Sequence, residues 1–171
     1  MKQGVAGLRL ISIFLCCLLV GCVPIGKKEV AQADRLMVIN VLGPNEYDDA
    51  HITDSVNVPF NDLEKRARKW DKNIRLVVYC ANYACLSSAE GAKKLKTLGF
   101  DAQAYEGGTA EWKAKGYPVT GPQKAGYLSM VGEPGTHEGV EIIEIGRLKD
   151  EMDSAKEKGL LITDVKNALA A

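Results

Sequence analysis

The chain has 171 residues, of which 46% are hydrophobic and 26% charged, and its 22 basic and 22 acidic side chains cancel at neutral pH. That balance suits one ordinary globular domain with short appendages and excludes a disordered chain. No basic stripe of the kind that binds nucleic acid is present.

The N-terminus reads as a targeting segment. Lys2 and Arg9 precede an apolar run, Leu10 to Val20, that is far shorter than the ~20 residues a spanning helix needs. Residues 1–21 are therefore expected to be a signal peptide. "LVGC", Leu19 to Cys22, resembles the lipobox of bacterial lipoproteins, which implies cleavage before Cys22 and attachment of lipid to it. The expected product is a lipoprotein anchored in the cell envelope, and Val23 in place of an aspartate favours the outer membrane or its periplasmic face. Residues 22–35 then form a lipidated tether. Processing would leave 20 basic against 22 acidic residues, a net charge of −2.

From Leu36 to Gly121 strand and helix signals alternate. "LMVINV", Leu36 to Val41, and "IRLVVY", Ile74 to Tyr79, are near-continuous apolar runs rich in β-branched residues, as expected of strands buried on both faces of a parallel sheet. "SVNVPF", Ser55 to Phe60, ended by Pro59, and "DAQAYE", Asp101 to Glu106, are weaker candidates. Asn61 is placed to cap a helix running to Trp70. A second helix is signalled by Leu86, Ala89, Ala92, Leu95 and Leu98 at three-residue spacing, with Ser87 and Glu90 spaced as a capping box. Strand alternating with helix argues for an α/β domain with a central, mostly parallel sheet flanked by helices.

Of the five cysteines, Cys16 and Cys17 leave with the signal and Cys22 carries the lipid, so the mature domain retains Cys80 and Cys85. They flank a short loop between a strand's C-terminal end and a helix start, the edge at which open α/β sheets bind ligands. Amides at a helix start favour anions and lower a nearby thiol's pKa, which would make a cysteine there nucleophilic. Outside the cytoplasm such a pair can form a disulfide, stay a reactive thiol pair or bind metal. Metal is the weakest reading: a closed zinc site wants about four ligands, and His51 and His137 lie far away without ligand spacing.

At this point the sequence resembles a rhodanese domain over roughly residues 36–121. "INVLGPNEYDDAHITDSVNVPF" is similar to the family's opening strand, acidic-aromatic helical turn, His-Ile pair and Asn-x-Pro segment. "VVYC" is similar to the strand leading into the catalytic cysteine, "KKLKTLGF" to the helix after it, and "YEGGTAEWKAKGYPV" to the closing Gly-Gly, Trp and Gly-Tyr-Pro. The resemblance implies a sulfurtransferase that accepts sulfane sulfur as a persulfide on Cys80 and passes it to a thiophilic acceptor, with no cofactor and no metal. Its partners would be a small sulfur-containing donor and a thiol or cyanide-like acceptor. Ala81, Asn82, Tyr83, Ala84, Leu86 and Ser87 form the substrate loop, with Asn82 and Tyr83 on its rim and loop amides aimed inward at the sulfur.

Departures from the family pattern sharpen the expectation. A typical loop closes with an arginine five residues after the cysteine, where this chain has Cys85, and no arginine occurs between Arg75 and Arg147. Without a bidentate guanidinium, phosphoryl chemistry is disfavoured and the dianion thiosulfate is a poor substrate. Asn40 and Leu42 stand where the family commonly has aspartate and arginine. Cys85 is a resolving thiol, a second sulfur carrier or a plain filler of the arginine's place. A non-catalytic binding module and a Cys80/Cys85 thiol-disulfide redox protein are the rival functions. His51, Glu106 to Gly108 and Trp112 read as structural.

Beyond Gly121 the resemblance lapses. Residues 122–140 are rich in glycine and proline and read as a linker. Residues 141–171 read as an amphipathic helix around Ile145, Leu148 and Met152 followed by the strand-like "LLITDV", either a truncated repeat or an appendage that needs an existing sheet edge.

Overall fold

A computed structural model describes residues 35–135 and 137–170. The expected signal peptide, the lipobox and the tether up to residue 34 lie outside the described residues.

Four strands form a wholly parallel sheet in the order β3 (Val56–Asn57), β1 (Arg35–Asn40), β4 (Ile74–Tyr79), β5 (Asp101–Tyr105). The two long apolar runs of the sequence are its central pair, as expected of strands covered on both faces. A short antiparallel pair, β2 (His51–Ile52) with β6 (Val119–Thr120), lies apart. The remaining helices are α1 (Pro44–Asp49), α2 (Phe60–Ala67), α3 (Ser87–Thr97), α4 (Gly108–Ala114) and α5 (Ile145–Glu157).

Strand period divides the core in two. Ile74, Leu76 and Val78 of β4 join Met37 and Ile39 of β1 against Leu63 and Ala67 of α2 and Ala89, Ala92 and Leu95 of α3. Val77 and Tyr79 join Leu36, Val38 and Tyr105 against Trp112 of α4 and Leu148, Met152 and Ala155 of α5. Helix α5 thus covers half of one sheet face.

The residues on either side of α5 complete the sheet. Only Ile39 and Asn40 of β1 pair with β3, which leaves the strand's first half open on that side. Leu36 N donates to Leu160 O (3.1 Å) and Ile162 N to Leu36 O (2.8 Å), filling the gap. At the opposite edge Ala104 N donates to Glu141 O and Ile143 N to Ala104 O, both 2.9 Å, beside β5. Backbone that would stand unpaired beside β1 and at Ala104 of β5 is thus bonded, a defence against edge pairing with other chains. "LLITDV" is not a strand: Leu161 makes one parallel bridge with Leu36, and Asp164 then accepts from Lys166 N (2.9 Å) to start a 3₁₀ turn, Val165–Ala168.

Both helix starts differ from expectation, α2 by two residues and α3 by one. Pro59 precedes α2, so Asn61 lies inside the helix. Leu86 already has helical φ and ψ and its carbonyl accepts from Glu90 N (3.0 Å). Ser87 is therefore the first helical residue, and the Ser87–Glu90 capping box does not form. Leu86 also leaves the apolar stripe of α3, being 59% exposed.

Candidate active site

Cys80 follows β4 directly and continues the alternation of Ile74, Leu76 and Val78, so its side chain is buried in the α2–α3 half of the core. The chain then turns through residues 81–86 into α3. Cys80 and Cys85 are joined as a disulfide across a Cα separation of 6.4 Å. Cys80 Sγ lies 3.2 Å from Cys85 O and 3.9 Å from the buried Ser88 Oγ. Cys85 is only half-buried, so the two sulfurs differ in access.

Asn82 organises the loop. Its Oδ1 accepts from Ala84 N (3.1 Å), an Asx turn, its carbonyl accepts from Cys85 N (3.0 Å), and its Nδ2 donates to Met130 O (2.6 Å). It is buried rather than on the rim. Tyr83 N donates to Val131 O (3.2 Å). The amides of Tyr83, Ala84 and Cys85 therefore point to oxygens of the loop and its neighbour. The expectation that these amides converge on Cys80 Sγ does not hold for the bonded form, because Asn82 and Val131 take them. Ala81 and Ser87 are half-buried and Ala84 is exposed.

The segment expected to be a linker walls the loop. It contains a 3₁₀ turn, Gly126–Ser129, with Leu128 buried, and supplies the two carbonyls that hold Asn82 and Tyr83. Nothing in its glycine-rich composition signals that role, since backbone acceptors carry no side-chain signature. The opposite wall is the start of α4. Thr109 N donates to Cys80 O (3.1 Å) and Ala110 N to Ala81 O (3.0 Å). Gly108, at φ +60°, makes this approach possible: a Cβ there would stand 2.5 Å from Cys80 O and 2.6 Å from the Ala81 carbonyl carbon.

A polar cluster adjoins the loop. Tyr83 and Tyr105 hydroxyls donate to Glu111 Oε2 at 3.1 and 3.0 Å. Burial and then the Glu111 carboxylate push Tyr83 up to about 12, so it remains a neutral donor. Glu106 is buried, with Oε1 3.0 Å from His137 Nε2. Desolvation raises its pKa, partly opposed by His137. His137 lies inside the glycine-rich stretch, far from Glu106 in sequence, which is why the pair was not legible there.

The other residues weighed in the sequence are structural. His51 stacks on Tyr47 (ring centroids 3.8 Å apart) and donates from Nδ1 to Tyr47 O (2.7 Å). Trp112 Nε1 donates to Pro118 O (3.0 Å) within the second core. Asn40 Oδ1 accepts from Leu42 N (2.9 Å), turning the chain after β1. Arg75 is the second residue of β4, five residues before Cys80 and about 16 Å along an extended strand, and it is held by Glu151 and Gln103, each at 2.5 Å. Among the described residues no three or more His, Cys, Asp or Glu side chains are grouped to hold a metal ion.

The chain is similar to several known proteins. The chain is 30% identical over 74 residues to YrkF of Bacillus subtilis, a candidate sulfur carrier protein, covering 43% of this chain and 39% of that one. It is 24% identical over 88 residues to an HTH-type transcriptional regulator of Mycobacterium tuberculosis, covering 52% and 39%. The chain thus spans about two fifths of the length of these relatives. Among solved structures it is similar to a rhodanese-related protein of Thermoplasma volcanium (29% identity, 50% of this chain and 83% of that one, TM-score 0.46). A Bacillus halodurans protein is also similar (23% identity, 60% and 72%, TM-score 0.48). The Rhodanese-like domain family matches residues 26–115, just over half of the chain and all of the Cys80 loop with its strand and helix, and the protein belongs to that family.

Proposed function

We propose that this protein is a sulfurtransferase in which Cys80 takes sulfane sulfur as a persulfide and hands it to a thiophilic acceptor in the cell envelope. Sulfur transfer is the chemistry of the family, and the name of YrkF points the same way. The observation that carries the reading is the placement of Cys80: the first residue after a central parallel strand, at the edge where such sheets bind ligands, in a loop that ends on the N-terminus of α3. The Cys80 thiolate attacks the outer sulfur of a donor, a sulfur–sulfur bond forms on Sγ, and the donor departs with the electron pair of the bond that breaks. A nucleophilic acceptor then removes that outer sulfur and restores the thiolate.

The loop carries no guanidinium, and Arg75 is committed at the far end of β4. Organic persulfides, which carry at most one charge on their sulfurs where thiosulfate is a dianion, fit this loop better. Cys80→Ser is expected to abolish transfer from polysulfide to cyanide, read as thiocyanate, while far-ultraviolet circular dichroism stays unchanged. Undiminished transfer would move the nucleophile elsewhere.

The envelope location rests on the lipobox-like "LVGC" with its basic flank and short apolar core. Residues 1–21 act as signal peptide and Cys22 carries the lipid. Cys22→Ser is expected to move the protein out of the membrane fraction, and a variant that stayed membrane-bound through its N-terminus would contradict the anchor.

A further inference from the structure

We propose that Cys85 is a resolving thiol that discharges the Cys80 persulfide as hydrosulfide, so that the domain also reduces sulfane sulfur at the expense of an external dithiol. This rests on Cys80 being the sulfur acceptor. The arrangement of the loop distinguishes it from the other two roles open to Cys85. A filler residue would not be joined to Cys80, and a second carrier would attack the outer sulfur and hold it as its own persulfide. The bond in the structure joins the two Sγ atoms, which is the product of attack on the inner sulfur.

The step balances without an added oxidant. Cys85 thiolate attacks Sγ of Cys80–S–SH, the Sγ–Sγ bond forms, the bond to the outer sulfur breaks, and that sulfur leaves with the electron pair as hydrosulfide. The sulfane sulfur is reduced and the cysteine pair oxidised. Restoring the pair takes two electrons from a dithiol, and access decides where it attacks. Cys80 is fully buried while Cys85 is half-buried, so the incoming thiolate meets Cys85 Sγ and Cys80 departs as thiolate into the loop, ready for the next donor. Asn82 holds the geometry: its carbonyl accepts from Cys85 N and its Nδ2 is tied to Met130 O. The two cysteines are five positions apart, so Cys85 competes with the external acceptor for the Cys80 persulfide.

The test uses the full chain, reduced, freed of reductant and mixed with inorganic polysulfide, alongside Cys85→Ser. Wild-type protein is expected to release one hydrosulfide more per chain than Cys85→Ser and to end two hydrogens lighter than the reduced form. Cys85→Ser is expected to retain one added sulfur on Cys80. Dithiothreitol then returns wild-type protein to its starting mass and to a second round of release. Equal hydrosulfide from the two proteins, with the added sulfur retained by both, overturns the resolving role and leaves Cys80 as acceptor. Added sulfur on Cys85 of the wild-type chain overturns it in favour of a second carrier. Failure of Cys85→Ser to gain any sulfur overturns the acceptor reading and this inference with it.

Discussion

The two ends of β4 treat a demanding side chain in opposite ways. At the start of the strand Arg75 is buried and held from three sides, by Glu151, Gln103 and, at 3.9 Å, Asp101. At the end Cys80 is equally buried but faces neutral neighbours, Ser88 Oγ, the Cys85 carbonyl and a cysteine. A buried charge without partners is costly, so the cation is placed where carboxylates from β5 and α5 converge. The reactive sulfur is placed where backbone from three segments packs closely and no fixed charge selects a dianion. One strand thus separates the fold's electrostatic anchor from its chemistry.

That separation is best broken at the glycine that closes the sulfur end. Gly108→Ala puts a methyl group against the Cys80 and Ala81 carbonyls at positive φ. The left-handed backbone and the overpacking together are expected to cost about 3 kcal/mol. Thermal unfolding should show the loss, and sulfur uptake should fall with it because the Cys80 backbone must move.

Arg75→Met attacks the other end. Taking the buried cation from Asp101 and Glu151 is expected to cost about 3 kcal/mol, the low end for a buried pair because Glu151 keeps Arg147 at 2.9 Å and both carboxylates keep contact with water. Sulfur uptake per folded molecule should stay at the wild-type level. A selective loss of uptake would show that the ends are coupled.

Cys85→Arg moves a cation to the sulfur end. A guanidinium stabilises a dianion more than a monoanion, and a charge-assisted contact is worth about 1.5 to 3 kcal/mol, roughly ten- to a hundredfold in rate. Thiosulfate use is expected to rise by that factor and use of an organic persulfide by less. Equal gains for both donors would remove the charge argument.

The smallest effect concerns Glu106. Its folded pKa lies above its ordinary value of 4.5 because burial disfavours the carboxylate. The folded chain therefore binds this proton more tightly than the unfolded chain, and the burial penalty is absent below the unfolded value and complete above the folded one. Relative to Glu106→Gln, wild-type protein is expected to gain stability as pH falls from neutral to below 4.5. Denaturant midpoints of the two proteins across that range give the difference.

The central sheet was legible because β1 and β4 are continuous apolar runs, and helix α3 because its buried residues recur at helical spacing, whereas α2 was read from a cap at Asn61 that lies inside the helix. The cysteine pair was legible because two thiols five residues apart at a strand–helix junction leave few roles open. Less accessible were contacts made by backbone. Met130 and Val131 hold the loop through their carbonyls, so a stretch that composition marks as linker is a wall of the site. The C-terminal residues read as an appendage because they have their own helix, yet Ile162 and Ala168 lie in one core and Ile143, Leu148 and Met152 in the other. Which sheet edge a segment covers depends on the gap that β3 leaves beside β1, a tertiary fact with no local pattern.

The most direct test of the account locates the sulfane sulfur itself. Reduced Cys85→Ser protein, given polysulfide and then alkylated and digested, is expected to carry one extra sulfur between the alkyl group and Cys80 in the fragment mass spectrum. Extra sulfur absent from Cys80 and present on another cysteine, or absent from the chain altogether, would contradict it.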